Sequence, residues 1–258
     1  MQPLPTHWSV WPDGALDGVT NMATDAALLD AVVPGRAVWR WYAWQRPTVS
    51  FGRNEAVRAR FSDTSIAAAG LDAVRRPTGG RALLHAREIT YSVTCPLPAE
   101  HSWREAYAAI NALLLGALHR VGVAAELAGP APAVAPDGPV CFETPAEGEI
   151  VVAGRKLVGS AVWRHGERYL QHGSILLHDD QSRIAAAALV ALPPAPPAAE
   201  LSRLAPAVDA SALNEALVAQ LTAQPHVTLT PFVASADVNR ARTSQREHFA
   251  NPSWLWRR

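Results

Sequence analysis

Apolar residues recur at helical spacing in a few stretches of the chain and alternate or run together elsewhere. Met22, Ala26, Leu29 and Val33 fall at intervals of four, three and four, which predicts a helix capped by Asn21 and stopped by Pro34-Gly35. Ala37 to Trp44, rich in Val, Trp and Tyr, predicts a strand, and Thr48 to Phe51, stopping at Gly52, predicts a second. Ile89 to Cys95 alternates as a strand closed by Pro96. Ser102-Trp103-Arg104-Glu105 has the form of a capping box and opens a helix whose packed face carries Trp103, Tyr107, Ile110, Leu114 and Ala117. Ile150–Val152, Arg155–Arg164 and Glu167–Leu177, separated by turns at Ala153-Gly154 and His165-Gly166, predict three consecutive antiparallel strands. Ser211 to Gln224 predicts a further helix. Prolines make 129–140 an exposed loop leading to Cys141, and Ala191–Glu200 a linker. Hairpin-joined strands with helices in separate stretches indicate an α+β fold rather than a doubly wound parallel sheet.

Composition narrows the function classes. A chain of 258 residues, 49% hydrophobic, can bury a sizeable core as one large domain, with or without a small appendage. Its 23 basic and 23 acidic residues cancel, which removes the uniform field that non-specific nucleic-acid binding draws on. No stretch reaches the roughly 18 apolar residues of a membrane span, and the start lacks a basic segment followed by an apolar run. The expectation is a soluble, cytoplasmic protein that binds neither nucleic acid nor membrane. Cys95 and Cys141 are the only cysteines, too few for a disulfide framework or a cysteine zinc site, and the remaining histidines lack metal-ligand spacing, so no metal is expected. One lysine, Lys156, stands against 22 arginines. That is either compositional drift or a position where a compact, titratable ammonium is needed and a broad guanidinium will not serve.

Three stretches are candidates for chemistry. Arg75-Arg76-Pro77-Thr78-Gly79-Gly80-Arg81, running on to His85, sets two glycines that permit close backbone approach beside three arginines that favour an anion. It is not a P-loop, and a Gly-Gly of this kind also serves as a plain turn. Cys141 follows the proline-broken loop, unlike Cys95 within a strand, and Lys156 comes fifteen residues later across one tight turn, where it can act as the cation that favours a thiolate. Gln171-His172-Gly173-Ser174 is the third. A regular hairpin closed at His165-Gly166 sets Lys156 opposite Ile175 and His172 opposite Gly159, on different faces, whereas a bulge at Gly159 brings His172 and Lys156 to one face. His172 is structural in the first case and a member of the site in the second.

Six motifs in order resemble the lipoate-protein ligase A and biotin ligase superfamily over roughly residues 20 to 180. They are Asn21-Met22-Ala23-Thr24-Asp25, Pro47 to Arg53, Arg75 to Arg81 ending in His85, Glu88 to Ser92, Gly154 to Ala161, and Gln171 to Ser174. The resemblance implies an α+β fold, a mostly antiparallel sheet with flanking helices, with a catalytic domain over 34–222 and a C-terminal tail, 223–258, packing on it. Val140-Cys141-Phe142 followed by Lys156 is similar to the octanoyltransferase branch. That implies Cys141 as acyl-thioester nucleophile, Lys156 as the group lowering its pKa, and substrate contacts from Arg76, Gly79, Gly80, His85, Gly159, Ser160 and His172. It implies octanoyl-acyl carrier protein as donor, glycine-cleavage H protein or another lipoyl domain as acceptor, and no cofactor. The rival implications are an ATP- and Mg-dependent lipoate-protein ligase and an octanoyl amidotransferase working between lipoyl domains. Two positions depart from the family pattern: Ala86 replaces an Asp after the motif histidine, and Val162 replaces a Gln after Gly-Ser-Ala.

Overall fold

The computed structural model describes residues 3–130 and 145–257. In chain order its elements are β1 (His7–Leu16), α1 (Gly18–Asp30), β2 (Arg36–Trp44), β3 (Thr48–Phe51), α2 (Asp63–Ala68), β4 (Asp72–Arg75), β5 (Leu83–His85), β6 (Glu88–Pro96), α3 (Trp103–Arg120), β7 (Glu126–Leu127), β8 (Ile150–Val152), β9 (Arg155–His165) and β10 (Arg168–Leu176). A 3₁₀ segment (Gln181–Ala187), α4 (Leu201–Leu204), α5 (Ala210–Thr222), β11 (Thr228–Pro231), α6 (Ala236–Ala250) and α7 (Pro252–Leu255) complete it. The larger sheet runs β11-β1-β2-β6-β10-β9-β8-β7 and the smaller β4-β3-β5. β1 is parallel to β11 and β2; the other pairs of the larger sheet are antiparallel, as expected of a mostly antiparallel α+β fold. Among the described residues no helix is long and apolar enough to cross a membrane.

The alternation of β6 explains the two faces of the sheet. Ile89, Tyr91, Val93 and Cys95 join Trp39 and Trp41 of β2 and the α3 residues Ile110, Leu114 and Ala117 in the main core, with Leu213 and Leu217 of α5 behind them. Full burial of each large side chain here contributes roughly 2–3 kcal/mol. Glu88, Thr90, Ser92 and Thr94 are buried as well, on the other face. A strand polar on a buried face needs partners for every hydroxyl and charge, and that polar face carries the candidate site.

Several local expectations are corrected. α1 is capped by Asp17, whose carboxylate accepts from the Thr20 amide at 2.8 Å, while Asn21 lies inside the helix and donates to the Ala43 carbonyl of β2 at 3.0 Å. Val33 lies beyond the helix end and is exposed. The capping box at Ser102 forms, but Trp103 is exposed, and Ala106, Ile110, Leu113, Leu114, Ala117 and Leu118 make the apolar face of α3. The β9–β10 turn is Gly166-Glu167, so His172 pairs with Ala161 and Gly159 with Ser174. The supposed linker is partly wall: Ala198 and Ala199 are buried, and the Ala199 amide donates to the Lys156 carbonyl at 2.9 Å. The loop predicted over 129–140 lies mostly outside the described residues. At the far end of the chain, Phe249 of α6 packs with Met22, Ala23 and Ala26 of α1, and Trp256 enters the core of the smaller sheet beside Phe51 and Phe61.

Candidate active site

A narrow cleft opens between the polar face of the larger sheet and the smaller sheet. Met22 of α1 and Tyr42 of β2 form one side, Arg76, Leu83 and His85 the side toward the smaller sheet, and Thr90, Gly159 to Ala161 and His172 to Ser174 the rest. Five of the sequence-predicted site residues therefore meet here: Arg76, His85, Gly159, Ser160 and His172. Gly79 and Gly80 are exposed in the adjoining loop. Cys141 lies outside the described residues.

Two carboxylate–imidazole–hydroxyl chains brace the cleft. In the first, Asp25 faces His172 Nδ1 at 3.1 Å, and His172 Nε2 faces the Thr78 hydroxyl at 2.6 Å. A carboxylate only accepts, so Nδ1 carries the hydrogen and Nε2 accepts from Thr78. Burial lowers the His172 pKa; the bond to Asp25 opposes that shift without cancelling it, so the ring is neutral at pH 7. Burial alone would raise the Asp25 carboxyl, but the hydrogen bond from His172 and the charge of Arg40 outweigh it and hold the carboxyl below its ordinary value. Asp25 accepts from four donors: Arg40 Nη1 at 2.8 Å and Ser92 Oγ at 2.7 Å on Oδ1, and Tyr42 Oη and His172 Nδ1, both at 3.1 Å, on Oδ2.

In the second chain Glu88 Oε1 meets His85 Nδ1 at 2.7 Å, and His85 Nε2 meets Ser50 Oγ at 2.7 Å. Thr90 and Ser174 also donate to Glu88 Oε1, at 2.6 and 2.8 Å, and Trp44 stacks on the His85 ring with centroids 4.0 Å apart. Both nitrogens of each imidazole are thus engaged, and the two rings act as oriented walls of the cleft.

Arg76 and Arg75 shape the glycine loop from inside. Arg76 donates to the Ser50, Gly79 and Arg81 carbonyls at 2.8–3.1 Å, so its guanidinium is occupied by backbone oxygens rather than presented to an anion. Arg75 is fully buried and donates to the carbonyls of Gly52, Glu55, Leu255 and Arg257. Gly80 has φ of +94°, and a Cβ on Gly52 would lie 1.8 Å from the Gly80 carbonyl oxygen. The conformation of this loop therefore depends on glycine at both positions.

Lys156 reaches the cleft face through a bulge, though not at Gly159. Ile150 pairs with Val158 but Val151 with Lys156, so Leu157 is the extra residue of β9. Leu157 and Val158 both enter the main core, which turns Lys156 to the opposite face, the one carrying His172 and Ser174. There its ammonium lies 2.8 Å from Glu149, with the two side chains 4% and 6% exposed. The Ala146 amide also donates to Glu149 at 2.8 Å. Ser160 differs: its hydroxyl bonds Tyr91 Oη at 2.7 Å on the core face, and only the rest of the residue borders the cleft. Val162 packs on the core as well, so the departure there lies away from the cleft. Cys95 is buried with its thiol pushed up to about 12 by desolvation, which leaves it the inert apolar residue expected from its place in a strand.

Asp25, Arg40, Thr78 and Glu88 were missed as site-building residues. The available signals were Asp25 within the apolar stretch of a helix and the polar alternation Glu88, Thr90, Ser92, Thr94 in a strand whose other face is wholly apolar.

Comparison with known proteins bears on the family and the fold. The family model for the lipoyl protein ligase A/B catalytic domain matches residues 17–222. The chain is 35% identical over 182 residues to the octanoyltransferase LipM of Carboxydothermus hydrogenoformans, covering 69% of this chain and 67% of that protein. It is 38% identical over 192 residues to the octanoyltransferase LipM of Lysinibacillus sphaericus, covering 69% of each. Among solved structures, lipoate-protein ligase A bound with ATP superposes with a TM-score of 0.82 at 17% identity, covering 97% of this chain and 98% of that one. Protein Ta0514 of T. acidophilum, with bound lipoic acid, superposes with a TM-score of 0.79 at 17% identity, over 98% of this chain and all of that one. At that identity the two structures establish the fold.

Proposed function

Because the chain belongs to the lipoyl protein ligase A/B catalytic-domain family, we propose that it is an octanoyltransferase of lipoate biosynthesis, moving octanoyl from acyl carrier protein to a lysine of a lipoyl-carrying acceptor domain. The observation that carries this reading is the 35–39% identity to octanoyltransferases named LipM. The bulge that turns Lys156 to the cleft face supports it.

In this mechanism the Cys141 thiolate attacks the thioester carbonyl carbon of the donor. The bond to the carrier sulfur breaks, and the carrier thiolate takes up a proton. The deprotonated amine of the acceptor lysine then attacks octanoyl-S-Cys141, the Cys141 sulfur leaves as thiolate, and the amide nitrogen gives up its surplus proton to solvent. Lys156 favours the thiolate and steadies the oxyanion of each tetrahedral centre, and the ion pair with Glu149 orients it. An arginine at this point would keep the charge but bring a wider planar head into the site. Met22, Tyr42 and Leu83 give the fatty chain an apolar lining, and His85 and His172 hold the shape of the cleft. The incoming thioester is already activated, so no nucleotide or metal takes part, and the acceptor is glycine-cleavage H protein or another lipoyl domain.

The test is intact-mass measurement after mixing with octanoyl-acyl carrier protein. A hydroxylamine-labile octanoyl adduct is expected on wild type and not on Cys141→Ser. Acceptor acylation that needs ATP, Mg²⁺ and free acid, with no adduct from the carrier, would overturn the reading in favour of ligation.

A further inference from the structure

Outside the acyl cleft the most unusual cluster is a patch of arginine and tryptophan along its rim. Arg53 follows Gly52, and its amide donates to the carbonyl of Thr78, the residue that holds His172, at 2.8 Å. Its guanidinium lies over the Trp163 ring at 4.5 Å, and Trp163 stands two residues beyond the cleft residue Ala161 on β9. On its other side Arg53 lies 5.6 Å from the Trp254 ring, which Arg257 also covers at 4.8 Å. His248 packs on Trp254 at 4.3 Å and His165 stacks on Trp163 at 5.4 Å, which widens the patch in both directions. Trp254, Arg257 and His248 come from α6, α7 and the residue pair after them, beyond the 17–222 of the family match.

Among the described residues neither Arg53 nor Arg257 forms an ion pair. Burial, and then the charge of Arg257, lower the pKa of Arg53, and burial, then Arg53 and Arg257, lower that of His248. Two like charges thus lie over one indole, with no carboxylate among the described residues within ion-pairing distance of either. The indoles are fixed in advance: Trp254 donates to the Arg75 carbonyl at 2.9 Å, and Trp163 lies on β9 paired with Leu170 of β10. Rigid tryptophan and arginine side chains are the residues that most often dominate protein–protein binding energy, and a localised cationic field steers acidic partners.

We propose that the rim formed by Arg53, Trp163, Trp254 and Arg257 is the docking surface for a carboxylate-rich face of the acyl carrier protein that delivers the donor thioester. The assignment rests on the octanoyltransferase reading for the identity of the donor. The extent of the patch favours donor over acceptor. An acceptor brings its own lysine side chain and must stand at the mouth of the cleft, whereas a donor whose acyl group hangs on a long flexible arm can seat its body further out, toward α6 and α7.

The test compares full-length wild type with Arg53→Glu, Arg257→Glu and the milder Arg257→Gln. Two donors are used, octanoyl-acyl carrier protein and the small thioester octanoyl-N-acetylcysteamine, and direct binding of acyl carrier protein is measured by calorimetry. The charge reversals are expected to raise the carrier-donor KM and the carrier Kd about tenfold or more with kcat little changed, and Arg257→Gln less. Activity with the small thioester should stay within about twofold of wild type, and the salt dependence of carrier binding should flatten in the variants. Equal losses with both donors, an effect on acceptor KM alone, or unchanged carrier binding would each overturn the proposal. Absence of octanoyl transfer by the wild type from either donor would instead overturn the functional reading, and the calorimetric comparison still decides whether the rim binds the carrier.

Discussion

Replacing Asp25 by Asn tests the buried network at its centre. The four groups around the carboxylate, on Arg40, Ser92, Tyr42 and His172, all donate in the wild type. An amide keeps the shape but offers one accepting oxygen, and its NH₂ must face either the Arg40–Ser92 side or the Tyr42–His172 side. The first leaves a guanidinium that is 0% exposed facing a donor, with only Asp13 as counter-ion. The second can be relieved, because the Tyr42 hydroxyl can rotate and His172 can move its hydrogen from Nδ1 to Nε2 and donate to Thr78. The amide should therefore settle toward Tyr42 and His172. Loss of one charge from a buried pair costs about 3–5 kcal/mol. The surviving oxygen and Asp13 place the expected loss at the lower end, about 3 kcal/mol, or roughly 6–12 °C in melting temperature. Urea unfolding gives the energy, and nitrogen chemical shifts of His172 give the tautomer. Destabilisation below about 1 kcal/mol with an unchanged Nδ1–H tautomer would refute the network as described.

Gly52→Ala should cost about 3 kcal/mol or more and reduce acyl transfer several-fold, since its Cβ would meet the Gly80 carbonyl oxygen and something in two backbones must move; a variant with wild-type melting and turnover would show that the loop is not held as described. For His172, the folded pKa lies below the ordinary 6.5, so the unfolded chain takes up the proton first and stability falls as pH drops below about 6.5 toward the folded value. Melting temperatures measured from about pH 7.5 down to about pH 5 should decline in wild type and decline less in His172→Gln; equal slopes would remove His172 as the cause.

The residues differ in how far the linear chain announces them. The hairpins of β8, β9 and β10 and the capping box of α3 are local devices, written in turn glycines and in a Ser-x-x-Glu spacing, and both form. The facing of Lys156 was not local. It depends on one extra residue in β9, and the visible cue, Gly159, lies two positions from the bulge at Leu157. The surroundings of Arg76 are non-local for a similar reason. Its charge suggested an anion site, but which oxygens a guanidinium reaches is settled by tertiary contacts with Ser50, Gly79 and Arg81. Asp17 displaced Asn21 as the helix cap because β2 supplies Asn21 with a better use inside the fold. The six motifs located the cleft, whereas the polar chains behind it join residues as much as 147 positions apart, and the alternation of Glu88, Thr90, Ser92 and Thr94 marks a polar face without naming its partners.

The grip of Arg75 on the chain's far segment has an evolutionary corollary. Its guanidinium donates to main-chain oxygens, those of Leu255 and Arg257 on one side and Gly52 and Glu55 on the other. Such a clasp is indifferent to which side chains those residues carry. Substitution at Arg257 can therefore change affinity for different carriers without slackening the loop that borders the reacting group, whereas Trp256 is held by its place in the core of the smaller sheet.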